Sequence, residues 1–382
     1  MKPLSPLSVE HGAITDTQVH TTVTKILQQI FSTVKIDGYS YNEKDLWNVL
    51  VYASAHRESI HSVCQRLSDA PSSNWLYTIL NHTVLSPADI PGLTQRLNEG
   101  LEAALPKGLT RRAQKVAVDV TLIPFYGDEA TPGVFRSQAK QSTTKFFCFA
   151  SAYVIKKHKR VTLCLRFVES TESLKTVLTE VLERIQALGI RLKRLYLDRE
   201  FARVDVLSYL RAQPYVSIVP IPKKGQALKA LLHGKKSLRT TYTMRSAKYG
   251  QVSFPLWMAC RYAKGRAKRH GCRYLLFAVI GTCRSPVLHI AEEYRQRFGI
   301  ESSYRIMNQA RAKTTSKKSM MRFLLVGIAF LLTNVWVWFK WNVVRILRHK
   351  KQSLREFPCD EFRHFLRRSI ERLYGTVNSF KL

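Results

Sequence analysis

The stretch "KVAVDVTLIPFYG", residues 115–127, is rich in β-branched and aromatic residues and still carries an aspartate, Asp119, in its interior. Such residues suit a pleated, half-buried surface, whereas aspartate is depleted from strands because a buried carboxylate must be paired or must coordinate a metal. A second stretch, "RLKRLYLDRE" (191–200), repeats the theme: a short apolar strand that ends on an acid, Asp198.

The segments around these two extend the reading. "KFFCFASAYVIKK" (145–157) and "RVTLCLRFVE" (160–169) are further strands, joined by a short basic turn and forming a meander. "TESLKTVLTEVLERIQALG" (171–189) and "ARVDVLSYLRA" (202–212) have helical spacing, and "YVSIVPIP" (215–222) is another strand. Three strands, helix, strand, helix, strand is the order of an α/β, RNase H-like (retroviral integrase-like) domain. In that fold the first and fourth strands are neighbours, so Asp119 and Asp198 converge at one edge of the sheet.

Charge then locates a third acid. The 382 residues carry a formal charge of +34, far beyond what solubility needs, so a polyanion is the expected partner, with nucleic acid ahead of an anionic membrane surface. Residues 1–110 hold eight Lys or Arg against ten Asp or Glu, so the excess lies beyond them. From 206 to 355 the only carboxylates are Glu292, Glu293 and Glu301. A surface that tracks phosphates excludes acids, which marks Glu301, in "YRQRFGIE" (294–301), as kept for another purpose. On one continuous helix Tyr294, Arg297 and Glu301 share a face and present Glu301 to the two aspartates. A surface Glu301 paired with Arg297 or Arg305 is the plainer alternative. Asp119, Asp198 and Glu301 together are a ligand set for two Mg2+ ions, with Mn2+ as substitute, that clamp the oxygens of an in-line phosphoryl transfer.

The set "VAVDVT", "LYLDREF" and "YRQRFGIE" resembles the DDE transposases of bacterial insertion sequences, the cut-and-paste group with a Tyr-Arg-Glu-Lys signature. Tyr294, Arg297 and Glu301 match its spacing, and the signature lysine is replaced by Asn308. The resemblance implies metal-dependent DNA strand cleavage and strand transfer, with Asp119, Asp198 and Glu301 as catalytic metal ligands and Tyr294 and Arg297 on phosphates. Arg305, one turn after Glu301, is placed to replace the missing lysine, and Arg199 belongs to the matching Asp-Arg-Glu run. It also implies a β-rich insertion whose basic segments grip DNA: Lys223, Lys224, Lys235 and Lys236 in one, and Lys264, Arg266, Lys268 and Arg269 in the other. Within the insertion, Trp257 reads as a core residue, with stacking on a flipped base as the alternative.

The expected organisation is an all-helical N-terminal domain (1–110) with a possible helix-turn-helix at 58–82, then the first part of the catalytic domain (111–221). The basic insertion (222–283), the second catalytic part (284–345) and a basic helical tail (346–382) follow. The apolar run "FLLVGIAFLLTNVWVWF" (323–339) reads as a buried core helix, a short membrane span being the alternative. Expected partners are double-stranded DNA, both terminal inverted repeats and target, and a second copy of the chain in a synaptic homodimer, without a membrane. The expected location is the cytoplasm, at the nucleoid. A catalytically impaired DNA-binding relative and a metal-dependent nuclease are the competing functions.

Overall fold

The computed structural model describes residues 13–36, 40–85, 89–156, 160–232, 236–262, 272–349 and 357–377. The chain opens with helices α1 (Asp16–Ile30), α2 (Glu43–His56), α3 (Ile60–Arg66), α4 (Ser73–Ile79) and α5 (Ile90–Ala103). Each begins where a short polar side chain satisfies the free N–H groups of its first turn. Thr15 and Asn42 form reciprocal capping boxes with Gln18 and Asp45, and Ser59, Ser72 and Asp89 accept from backbone N–H groups one turn on.

Strands β1 (Gln114–Pro124), β2 (Val134–Lys140), β3 (Thr143–Val154) and β4 (Thr162–Val168) come next. They are followed by α6 (Leu174–Ala187), β5 (Leu192–Tyr196), α7 (Val204–Arg211), β6 (Val216–Pro220) and α8 (Gln226–Ala230). A hairpin and a return strand, β7 (Leu238–Ser246), β8 (Gly250–Tyr262) and β9 (Cys272–Ile280), lead into α9 (Val287–Arg295), α10 (Gly299–Gln309), α11 (Ser319–His349) and α12 (Cys359–Tyr374).

The strands form one mixed sheet in the order β2-β3-β1-β5-β6-β9-β8-β7, with β4 also on β3. β1 runs antiparallel to β3 and parallel to β5, and β5 runs parallel to β6. β9 joins β6 antiparallel, so the strands of the basic insertion continue this sheet. Alternation along β1 sorts side chains by face. Val116 and Val118 share a core with Val177 and Val181 of α6, whereas Ala117 packs with Tyr196 of β5 and Ile290 of α9.

The apolar run of the sequence is α11, buried within the protein along the Ser319–Trp341 stretch that is long and apolar enough to cross a membrane. Its Asn334 closes an edge. The amide accepts from Thr162 N at 2.9 Å and donates to Thr162 O at 2.8 Å, and Asn98 of α5 does the same to Leu165 at 2.8 Å each way. Two side-chain amides thus stand where a further strand would pair with β4, which removes an unpaired sheet edge. The end of the chain returns to its beginning. Tyr374 of α12 donates to Asp45 and accepts from Asn48, both of α2, while His20 of α1 bonds Asn48 and Ser369.

Candidate active site

Parallel pairing of β1 with β5 sets Lys115 beside Arg194 and Ala117 beside Tyr196. Continuing that ladder by two residues brings Asp119 level with Asp198, on the sheet face that carries α9. Asp119 is 8% exposed; its Oδ1 accepts from Val120 N at 3.0 Å. Asp198 caps the short 3-10 turn Arg199–Phe201 by accepting from Arg199 N at 2.7 Å, which fixes its carboxylate just past the strand end.

Between the two acids stands Arg297. Its Nη2 lies 3.2 Å from Asp119 Oδ1 and 3.3 Å from Asp198 Oδ1, so the two oxygens are at most about 6.5 Å apart, the sum of those distances. Burial pushes the Asp119 carboxyl up to about 6; Arg297 and the Val120 N–H oppose this, and Asp198 and Glu200 add to it. Burial works against the charged guanidinium as well. Tyr294, Asp119 and Asp198 outweigh it and hold Arg297 above its ordinary pKa.

Three tyrosines fix this arrangement. Tyr153 of β3 donates to Arg297 O at 2.7 Å, and Tyr294 donates to Leu197 O at 2.8 Å, immediately before Asp198. Tyr304 of α10 bonds Ser151 Oγ at 2.9 Å, and Ser151 is the residue directly opposite Asp119 in the β1–β3 ladder. α10 is therefore docked at the level of Asp119. Glu301 lies on α10, three residues before Tyr304, with its side chain outside the described residues. Among the described residues no group of three metal-type ligands comes together.

One expectation about this segment is corrected. The helix through Tyr294, Arg297 and Glu301 is not continuous: α9 ends at Arg295, residues Gln296–Phe298 form a 3-10 turn, and α10 starts at Gly299. The 100° step per residue does not carry across the break, so helical spacing alone does not place Glu301 on the face of Tyr294 and Arg297. The break is packed from outside. The Arg160 guanidinium lies where a Gly299 Cβ would sit, and Arg160 Nη1 donates to Gly299 O at 3.1 Å. Tyr294 and Arg297 are 6% and 5% exposed and face the acids and the core.

Of the other residues singled out, Arg199, Lys223, Lys224, Lys236 and Arg305 are exposed. Lys235, Lys264, Arg266, Lys268 and Arg269 lie outside the described residues. Trp257 is a core residue, 5% exposed, with the Arg239 guanidinium 3.9 Å from its ring centre. What the sequence reading missed is a second charge cluster. Glu293, 7% exposed, pairs with Arg194 and with Lys115 Nζ at 2.6 Å, and accepts from Tyr196 OH at 3.0 Å. The signal was present: Lys115 is four residues before Asp119, Arg194 four before Asp198, and strand period two puts each pair on one face.

The family model described as the transposase DDE domain matches residues 110–335. No curated protein sequence matches the chain. Among solved structures, the cryo-EM structure of the piggyBac transposase synaptic complex with hairpin DNA is similar in fold. The TM-score is 0.60 at 12% identity, covering 98% of this chain and 85% of that one.

Proposed function

This chain belongs to the transposase DDE domain family, and from that premise we propose that Asp119, Asp198 and Glu301 are its catalytic acids, cutting and joining DNA strands by in-line phosphoryl transfer. The protein is a DDE-type DNA transposase. The observation that carries the site is the shared guanidinium: two carboxylates, one on β1 and one just past the end of β5, both lie within salt-bridge distance of one cationic nitrogen. Oxygen donors in that arrangement, one raised in pKa by burial, fit a hard divalent cation. Asp119 and Asp198 would hold it, with Glu301 as the third donor and two Mg2+ ions as the full complement. Such an ion supplies Lewis-acid charge to a phosphoryl group and lowers the pKa of a bound water.

The chain's own residues supply the positioning. Tyr294 holds the Leu197 carbonyl, and with it the turn that presents Asp198. Tyr304 holds α10 against Ser151. Arg297 keeps the two acids in register through its buried guanidinium. The substrate is double-stranded DNA, taken at the element's terminal repeats and at the target by a synaptic homodimer in the nucleoid. The synaptic DNA complex of the piggyBac structure and the excess of basic residues after position 110 support this reading.

A supercoiled-plasmid nicking assay with Mg2+ or Mn2+ tests it. Wild-type protein should nick, and Asp119→Asn and Asp198→Asn should not. Equal nicking by both variants would remove the acids from the mechanism, and a folded wild type that binds DNA without nicking would favour the impaired-relative reading.

A further inference from the structure

A second basic feature lies outside the acid pair. Between α3–α4 of the helical module, the far end of β1 and the link from α10 to α11 runs a cleft of about 920 Å³. Arg57, Arg311 and Arg322 line it, and no described carboxylate pairs with any of them. The nearest acid in sequence, Glu58, is already committed to Arg66 at 2.8 Å and to Ser62. Arg322 is held in place without an acid, donating to Ser316 O at 2.7 Å and resting over the Phe125 ring at 4.9 Å. Burial, then the nearby charges of Arg322 and Arg57, push Arg311 down to about 10. Like charges gathered in a half-buried cleft destabilise the empty protein, and an anion is the missing counterpart.

The cleft's position says which anion. Ile123 and Pro124 line it, four and five residues beyond Asp119 on the same strand. At about 3.3 Å per residue that is roughly 13–17 Å, or about four to five base-pair steps measured along a duplex axis at about 3.4 Å. Asn308 lines both this cleft and a neighbouring one of about 450 Å³ bounded by Tyr304 and Arg305. Tyr304 touches Ser151, opposite Asp119. The two basic clefts therefore adjoin each other and lie on the sheet face of the acid pair, an extended arrangement that suits a chain of phosphates better than one small anion. Tyr126, 67% exposed at its rim, offers an aromatic face of the kind on which bases stack.

We propose that this cleft binds the sugar–phosphate backbone of a DNA strand roughly 13–17 Å beyond its position at Asp119, with Arg57, Arg311 and Arg322 on the phosphates. The proposal rests on the DNA-transposase reading and adds where the strand runs. Its test is fluorescence anisotropy with a short labelled duplex of arbitrary sequence across a salt series, together with thermal unfolding of each variant. Arg57→Gln and Arg311→Gln should each weaken binding roughly tenfold and flatten the slope of log K against log salt by about 0.9, the value of one phosphate contact. Lys175→Gln, on α6 and the opposite sheet face, should leave the slope in place. Arg311→Gln should also raise Tm without DNA, because it relieves the repulsion.

That pairing of weaker binding with greater stability is what a purely structural arginine does not give. A fall in Tm along with lost binding therefore overturns the proposal. Unchanged affinity and slope in both variants, with wild type binding, also overturns it and leaves the transposase reading intact. Failure of wild type to bind the duplex overturns DNA binding itself.

Discussion

Two charge clusters sit on the same pair of strands and the same helical segment, and their stoichiometries are opposite. At one end of the β1–β5 pair, two carboxylates, Asp119 and Asp198, share one guanidinium. About four residues back, two cations, Lys115 and Arg194, share one carboxylate, Glu293. Glu293 also takes a hydroxyl from Tyr196, and Arg194 donates further to Ser285 Oγ at 2.7 Å, so that end is closed by its own hydrogen bonds. The acid-rich end keeps a carboxyl whose pKa burial has raised. The lesson is that two buried clusters of similar composition differ in their balance: one is complete within the protein and ties α9 to the sheet, the other, at the proposed catalytic acids, is short of positive charge.

The contrast can be broken experimentally, beginning with the structural end. Glu293→Gln leaves the half-buried Lys115 and Arg194 without their acid, and should cost up to about 3 kcal/mol in denaturant unfolding, the lower end for a broken buried pair. A loss below about 1 kcal/mol would show the cluster to be no anchor. Asp119→Asn should do the reverse, lowering plasmid nicking by at least about 10²–10³-fold, the scale of a lost catalytic electrostatic group, while the protein stays folded.

A smaller effect should appear in the binding of the ion itself. With Mg2+ or Mn2+ in about hundredfold excess over its Kd, wild type should gain about 2.7 kcal/mol of stability. Asp119→Asn should gain far less, and a Tm rise of equal size in both would place the ion elsewhere. The gain in wild type should fade as pH falls through about 6, where Asp119 takes up its proton.

The smallest effect is on stability alone. Asp119 titrates near 6 when folded, against an ordinary value of 3.8. The folded protein therefore holds this proton more tightly than the unfolded chain. Stability falls as pH rises from 3.8 to about 6 and stays reduced above it. Asp119→Asn removes that penalty. Without metal it should be more stable than wild type above pH 6 by about 1–3 kcal/mol, and the two should converge at low pH. A variant less stable than wild type at pH 8 would mean that the Arg297 pairing outweighs burial.

How far the sequence disclosed this depends on range. Asp119 and Asp198 were legible because an acid inside an apolar strand conflicts with its surroundings, and that conflict is local. The buried nature of α11 was legible from apolar residues on every face. The break at Gln296–Phe298 was not, because no proline marks it and the Arg160 contact that accompanies it comes from a residue far away in the chain. β2 escaped notice for a different reason: "VFRSQAK" has no apolar alternation, and four of its seven residues are exposed. The pairing of Lys115 and Arg194 with Glu293 needed only period two carried backwards from the aspartates, plus the observation that Glu293 is one of three acids in a long basic region. The seating of α12 on α1 and α2 had no local sign at all.

That seating has a consequence in time. Asn48 and Tyr374, hydrogen-bonded at 3.0 Å, are 326 residues apart. At a synthesis rate of about 5–20 residues per second, α1 and α2 wait roughly 15–65 s for the helix that covers them. Throughout that interval the face of α2 that carries Tyr52, whose hydroxyl donates to Glu371 of α12 at 2.8 Å, lacks its lid, and a nascent chain is a customer for folding assistance. α2 and the turn after α3 reach their final packing only once α12 has been made and has docked on them.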